Sequence, residues 1–188
     1  MYYHASPIPG LTVLEPRRSN HGVPLVYFSK KRENTLVYLS NAVEKFCRET
    51  GFPHAGPWTK WGPYGFRDGA LLLEEYYPGA LEDTYRGVSG YIYQAAAIPE
   101  VSREIGIPDA AVSDRPVPVD RAEFVPDALE AILAAERAGL VRLIRYGEQP
   151  PEKLVWIEKT IRAEYDGGSA RPEYRHFLQN KFPFLANV

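Results

Sequence analysis

Two short segments near the start of the chain carry the residue types needed to hold a flat, amide-bearing ring. The first is His4-Ala5-Ser6; the second is Val26-Tyr27-Phe28-Ser29, followed by Thr35 and Tyr38. An imidazole at the end of a strand can hydrogen-bond a sugar hydroxyl, and the backbone N–H and C=O of the next residue can pair with a carboxamide. That pairing needs close backbone approach, so Ala5 serves only if its φ is negative. Thr35 and Tyr38 stand three apart, which on a helix puts a hydroxyl and a ring on one face. Tyr27, eleven residues before Tyr38, is placed to form an opposing wall. Each position also has a plain structural reading: His4 as a loop cap, and Tyr27 and Tyr38 as ordinary wall and core aromatics.

The surrounding pattern supplies elements to position these residues. Short strands are predicted at Tyr2 to His4 and Leu25 to Ser29, with a Pro-, Gly- and Asn-containing connection between them. From about Lys30 to Thr50, Leu36, Leu39, Val43 and Phe46 recur on one stripe, which predicts a single helix with Ser29 as N-cap and Gly51 as its stop. Residues 51 to 70 are rich in Pro, Gly and aromatics, including His54, Trp58 and Trp61, and read as an irregular loop packed by its rings. Further strands are expected at Ala70 to Tyr76, Gly90 to Ala95 and Val117 to Val119, with a short helix over Ile98 to Ile105. Asp127 with Glu130 opens a helix that stops at Gly139; Pro151 and Pro172 open two more. Asp166-Gly167-Gly168-Ser169 reads as the turn between those two. The class is α+β, in one domain: a core over 1–125 and a helical C-terminal extension over 126–188 packed on it.

Composition narrows the function classes. The net charge of −2 over 188 residues gives no electrostatic case for nucleic-acid or membrane binding. The one cysteine, Cys47, forms no internal disulfide and reads as a buried, inert thiol on the apolar side of its helix. No leader pattern and no long apolar run is present, which predicts a soluble, cytoplasmic protein. His4, His21, His54 and His176 show no metal-ligand spacing, Gly87-Val88-Ser89-Gly90 is not a nucleophile elbow, and no P-loop or dinucleotide-binding glycine fingerprint occurs. Any dinucleotide is therefore held in a non-Rossmann manner.

The order of parts, His-small-Ser on an early strand and then aliphatic-Tyr-Phe-small leading into a helix, resembles the ADP-ribosyltransferase superfamily. The closest likeness is to its poly(ADP-ribose) polymerase and diphtheria-toxin-like branch, and it covers about the first 40 residues. The resemblance implies a small split β-sheet core and NAD as substrate. It implies a nicotinamide cleft lined by His4, Ala5, Ser6, Tyr27, Thr35 and Tyr38, with His4 and Tyr27 serving catalysis as well. Cleavage of the glycosidic bond passes through an oxocarbenium-like state that a nearby negative charge favours. The family places a glutamate for this at the start of a late strand. Here the Ser113-Asp114-Arg115-Pro116 run leading to Val117 offers Asp114, one methylene shorter, with Glu123 as the alternative.

The expected activity is transfer of ADP-ribose from NAD to an acceptor that the sequence does not name. Two alternatives stay open. One is a noncatalytic nucleotide- or protein-binding module that keeps the fold, supported by the missing glutamate. The other is NAD-dependent removal of an RNA 2′-phosphate, for which Arg17, Arg18 and Arg86 are the early phosphate-gripping candidates. Arg17, Arg18, Asn20 and His21 read more readily as a charged, solvated turn than as a phosphate-binding loop.

Overall fold

The computed structural model describes residues 1–18, 23–56, 64–99, 106–167 and 171–185, with the backbone alone at Arg18. In chain order its strands are β1 (Tyr2–Ser6), β2 (Val13–Leu14), β3 (Arg17–Arg18), β4 (Pro24–Ser29), β5 (Tyr64–Arg67), β6 (Ala70–Glu74), β7 (Gly90–Ala95), β8 (Ala110–Ser113), β9 (Val117–Pro118), β10 (Arg121–Val125) and β11 (Val141–Ile144). The helices are α1 (Ala42–Thr50), α2 (Ala80–Tyr85), α3 (Ala128–Arg137), α4 (Pro151–Asp166) and α5 (Pro172–Lys181), with 3₁₀ segments at Glu33–Leu39, Tyr146–Glu148 and Pro183–Leu185. The architecture is mixed α+β with several small sheets. No helix among the described residues is long and apolar enough to cross a membrane.

The chain groups into two units, each drawn from separate stretches. One comprises Met1–Ser40, Phe66–Leu71 and Tyr85–Arg142; the other comprises Asn41–Gly65, Leu72–Thr84 and Leu143–Val188. Residues 126–142 thus group with the N-terminal strands, while 41–65 and 72–84 group with the C-terminal helices.

The main sheet of the first unit runs β10-β7-β1-β4-β3, and β8 also pairs with β4. Five antiparallel register pairs zip β1 to β7, from Tyr2 opposite Ala95 to Ser6 opposite Tyr91. By contrast, the register of β1 with β4 consists of Tyr3 opposite Ser29 alone. Ladder pairing between the two strands stops there, which leaves a gap in the sheet's backbone hydrogen bonding. Leu14, Val26, Phe28, Tyr93, Ala95 and Val117 bury together on one face. The Tyr93 hydroxyl donates to the Ile8 carbonyl at 2.6 Å and accepts from Leu11 N–H at 3.3 Å, tying down the loop after β1.

In the second unit α1 packs against α5 through an edge-to-face contact of Phe46 and Phe177, their ring centres 5.7 Å apart. Cys47 is fully buried at this contact; desolvation and then the charge of Glu173 push its thiol upward. Tyr77 sets its ring edgewise to both Phe177 and Phe182. Pro151 and Pro172 begin α4 and α5 as expected from their missing N–H groups.

The single helix expected over 30–50 is two elements. Ser40 is extended between them (φ −124°, ψ 143°), and Asn41, not Ser29, caps α1 by accepting the Glu44 N–H. Thr35, Val37 and Tyr38, β-branched or aromatic, disfavour an α-helix, and the first piece takes the tighter 3₁₀ form. Ser29 instead accepts the Lys31 N–H at 3.1 Å and turns the chain into it. Asp127 does cap α3, accepting the Glu130 N–H, and Gly139 beyond its end has φ 72°. The strand expected at 117–119 is the two-residue β9, and it pairs with β2 outside the main sheet. The loop read over 51–70 holds β5 at its end, and β8, β10 and β11 are strands the pattern did not predict. The helix over 98–105, the loop positions Trp58 and Trp61, Asn20 and His21 of the charged turn, and Gly168-Ser169 lie wholly or largely outside the described residues.

Candidate functional site

The gap between β1 and β4 is spanned by one side chain. His4 Nδ1 lies 2.8 Å from the Tyr27 carbonyl oxygen. A carbonyl only accepts, so Nδ1 carries the proton and Nε2 keeps its lone pair. Desolvation by burial lowers the His4 pKa, outweighing the raising effect of the Tyr27 bond, and Arg17 lowers it further. His4 is therefore a neutral imidazole with a defined tautomer, suited to accept from a hydroxyl.

Register sorts the neighbouring side chains by face. Ala5 opposes Ile92, and Ile92 opposes Glu123, so these three share one face, whereas His4 shares the other with Tyr93. Phe28 turns into the buried cluster, its ring centre 6.0 Å from that of His4. Alternation along β4 then sends Tyr27 the opposite way. The 3₁₀ segment Glu33–Leu39 lies over the Ala5 face. At its start Arg32 reaches Glu123, and at its end a Cβ added to Gly90 would meet Leu39 Cδ2 at 2.7 Å. Tyr27, Thr35 and Tyr38 therefore stand on one side of the sheet, and His4 meets the gap from the other.

The individual positions differ in what they offer. Ala5 is buried and has no positive φ, so the condition for it to replace glycine is met. Ser6 spends its hydroxyl locally, accepting the Ile8 N–H at 3.2 Å. Thr35 is 2% exposed and donates its hydroxyl to the Arg32 carbonyl at 2.7 Å, so only its lone pairs are left for any ligand. Tyr38 shares Thr35's side of the 3₁₀ turn, where positions i and i+3 eclipse, and is half-exposed.

Neither candidate carboxylate stands ready as a catalytic base. Asp114 follows β8 as an exposed side chain that pairs with the adjacent Arg115 at 4.0 Å. It lies two residues beyond Val112, the partner of Tyr27, about 7 Å along the strand. Because β9 lies outside the main sheet, Asp114 does not begin a strand of that sheet. Glu123 lies within the main sheet on β10, but its carboxylate is forked by Arg32, with Nε to Oε2 at 2.9 Å and Nη2 to Oε1. That bond, and then the charge of Arg32, hold the Glu123 carboxyl below the usual carboxylate range against the desolvation that raises it.

Sequence reading missed two groups here. Arg32 sits in the Lys30-Lys31-Arg32-Glu33 run, and nothing local distinguishes it, because its partner is 91 residues away. Asn34 beside Thr35 is buried with its Nδ2 lacking a partner among the described residues. Of the phosphate-gripping candidates, Arg17 is exposed on β3 opposite Leu25, and Arg86 is exposed in the turn after α2. No family model, curated protein or solved structure matches the chain.

Proposed function

We propose that the chain is an ADP-ribosyltransferase-like protein that binds NAD where β1 and β4 part, cleaves its nicotinamide–ribose bond and transfers ADP-ribose to an acceptor. The observation that carries this reading is the gap itself, opened after the Tyr3–Ser29 pair and bridged by His4 to the Tyr27 carbonyl. The nicotinamide ring would lie between Tyr27 and Tyr38, its carboxamide against the Ala5 backbone. The ribose would reach through the gap, where a hydroxyl donates to His4 Nε2. Offset stacking on tyrosine is worth roughly 0.5–1.5 kcal/mol beyond burial. In cleavage the glycosidic electron pair leaves with nicotinamide, the ribose becomes an oxocarbenium, and the acceptor's nucleophile adds to it, its proton passing to solvent water.

A second reading, binding without cleavage, is favoured by the state of the two carboxylates: Glu123 is neutralised by Arg32, and Asp114 stands exposed beside Arg115. Titration of NAD followed by a nicotinamide-release assay separates the two. Release that Asp114→Ala abolishes while binding persists supports the transferase; binding with no release supports the binding module.

A further inference from the structure

We propose that Arg32 and Glu123 are positioning residues for the NAD cleft, holding residues 33–39 over β1 so that the Tyr38 ring faces Tyr27. The inference rests on the function proposed above. The segment has little reason of its own to hold this form. It is seven residues long, has no side-chain cap at Arg32 and ends in an extended Ser40. Short helices of this kind are marginal without tertiary support, yet Asn34, Thr35, Leu36, Val37 and Leu39 are all buried.

Support comes at both ends. At the far end Leu39 fills the space above Gly90. At the near end the guanidinium of Arg32 makes a two-bond fork with Glu123 on β10, and the same residue's carbonyl accepts both the N–H and the hydroxyl of Thr35, at 3.0 and 2.7 Å. One residue thus joins an edge strand to the first turn. A fork fixes orientation as well as distance, which an ammonium does not. Among the described residues the titratable groups acting on the pair are Glu33, 3.8 Å from Arg32, Tyr3, and Arg121 on the same strand as Glu123. None gives Arg32 a second fork. Glu123 is on this account an anchor and not the missing acid.

The test is a double-mutant cycle of Arg32→Ala and Glu123→Ala, read by NAD calorimetry and by amide hydrogen exchange over residues 33–39. Each single variant is expected to raise the NAD dissociation constant and speed exchange in that segment by roughly tenfold, with the double variant no worse than either. Arg32→Lys, which keeps the charge and loses the fork, should not restore binding, and Glu123→Gln should fall between. Additive effects, unchanged exchange, or restoration by Arg32→Lys overturns the proposal. Wild-type protein that ignores NAD, with the exchange cycle still non-additive, leaves the anchor in place and sinks only the NAD reading. Wild-type binding left intact in the single variants sinks the anchor alone.

Discussion

His4 and Tyr27 are joined across two strands that have stopped pairing. The imidazole donates to the Tyr27 carbonyl at 2.8 Å, next to the point where Tyr3 and Ser29 form the sole register pair between β1 and β4. A side chain thus does there what the backbone does elsewhere in the sheet.

Replacing His4 by alanine removes the partner of a half-buried carbonyl. Stability should fall by about 1–3 kcal/mol, read from denaturant unfolding, and NAD affinity should fall with it. Because burial lowers the pKa of His4 below the ordinary histidine value, affinity in the wild type should decline on acidification with a midpoint below that value. A calorimetric series showing a midpoint at or above the ordinary value would contradict the neutral imidazole.

Gly90→Ala probes the other end of the segment over β1. The added Cβ would stand 2.7 Å from Leu39 Cδ2 and 3.2 Å from the Ser6 carbonyl oxygen. Leu39 can swing away but the Ser6 backbone cannot, so the expected loss is about 1–2 kcal/mol. A thermal melt unchanged from wild type would show that the contact is loose.

Glu75 is a buried carboxylate in the second unit that accepts the N–H of Leu81 and the N–H of Tyr146, each at 3.0 Å, while the Gln149 side-chain amide donates to its backbone carbonyl. Glu75→Ala orphans two backbone donors and should cost about 2–4 kcal/mol. Glu75→Gln keeps one carbonyl acceptor and should cost less. Equal unfolding free energies for the two variants would remove the carboxylate from this role.

Acid should weaken the first unit through Glu123. Its folded pKa is held down chiefly by the hydrogen bond from Arg32, so the unfolded chain binds more protons between the two pKa values. The stabilisation is present above the unfolded carboxylate value and is lost as pH falls through the folded one. With the side chain 38% exposed, solvent screening holds the effect to about 1 kcal/mol or less. The difference in stability between wild type and Glu123→Gln should shrink from pH 7 toward pH 3. A difference that grows on acidification would reverse the sign of the argument.

What was legible in the sequence were the elements whose signals are local. The strand alternation around Tyr2 and Tyr27, the Asp127 cap and the helix starts at Pro151 and Pro172 depend on neighbours within a few residues. The break at Ser40 was hidden because Leu36, Leu39, Val43 and Phe46 keep helical spacing straight through it, although two separate elements carry them. The strand β10, Arg121–Val125, shows no clean alternation because it is an exposed edge with an exposed Phe124, and Ala110–Ser113 reads as helix former by composition. The parting of β1 from β4, the fork between Arg32 and Glu123, and the pairing of β9 with β2 are long-range facts. No window of the sequence contains both partners.

The measurement closest to the central claim is calorimetric titration of NAD into the wild-type protein and into His4→Ala and Tyr38→Ala, with circular dichroism confirming that each is folded. Saturable binding to the wild type, weakened at least tenfold in both variants, is the predicted result. A folded wild type that takes up no heat from NAD, or variants that bind it as well as the wild type does, would contradict the site.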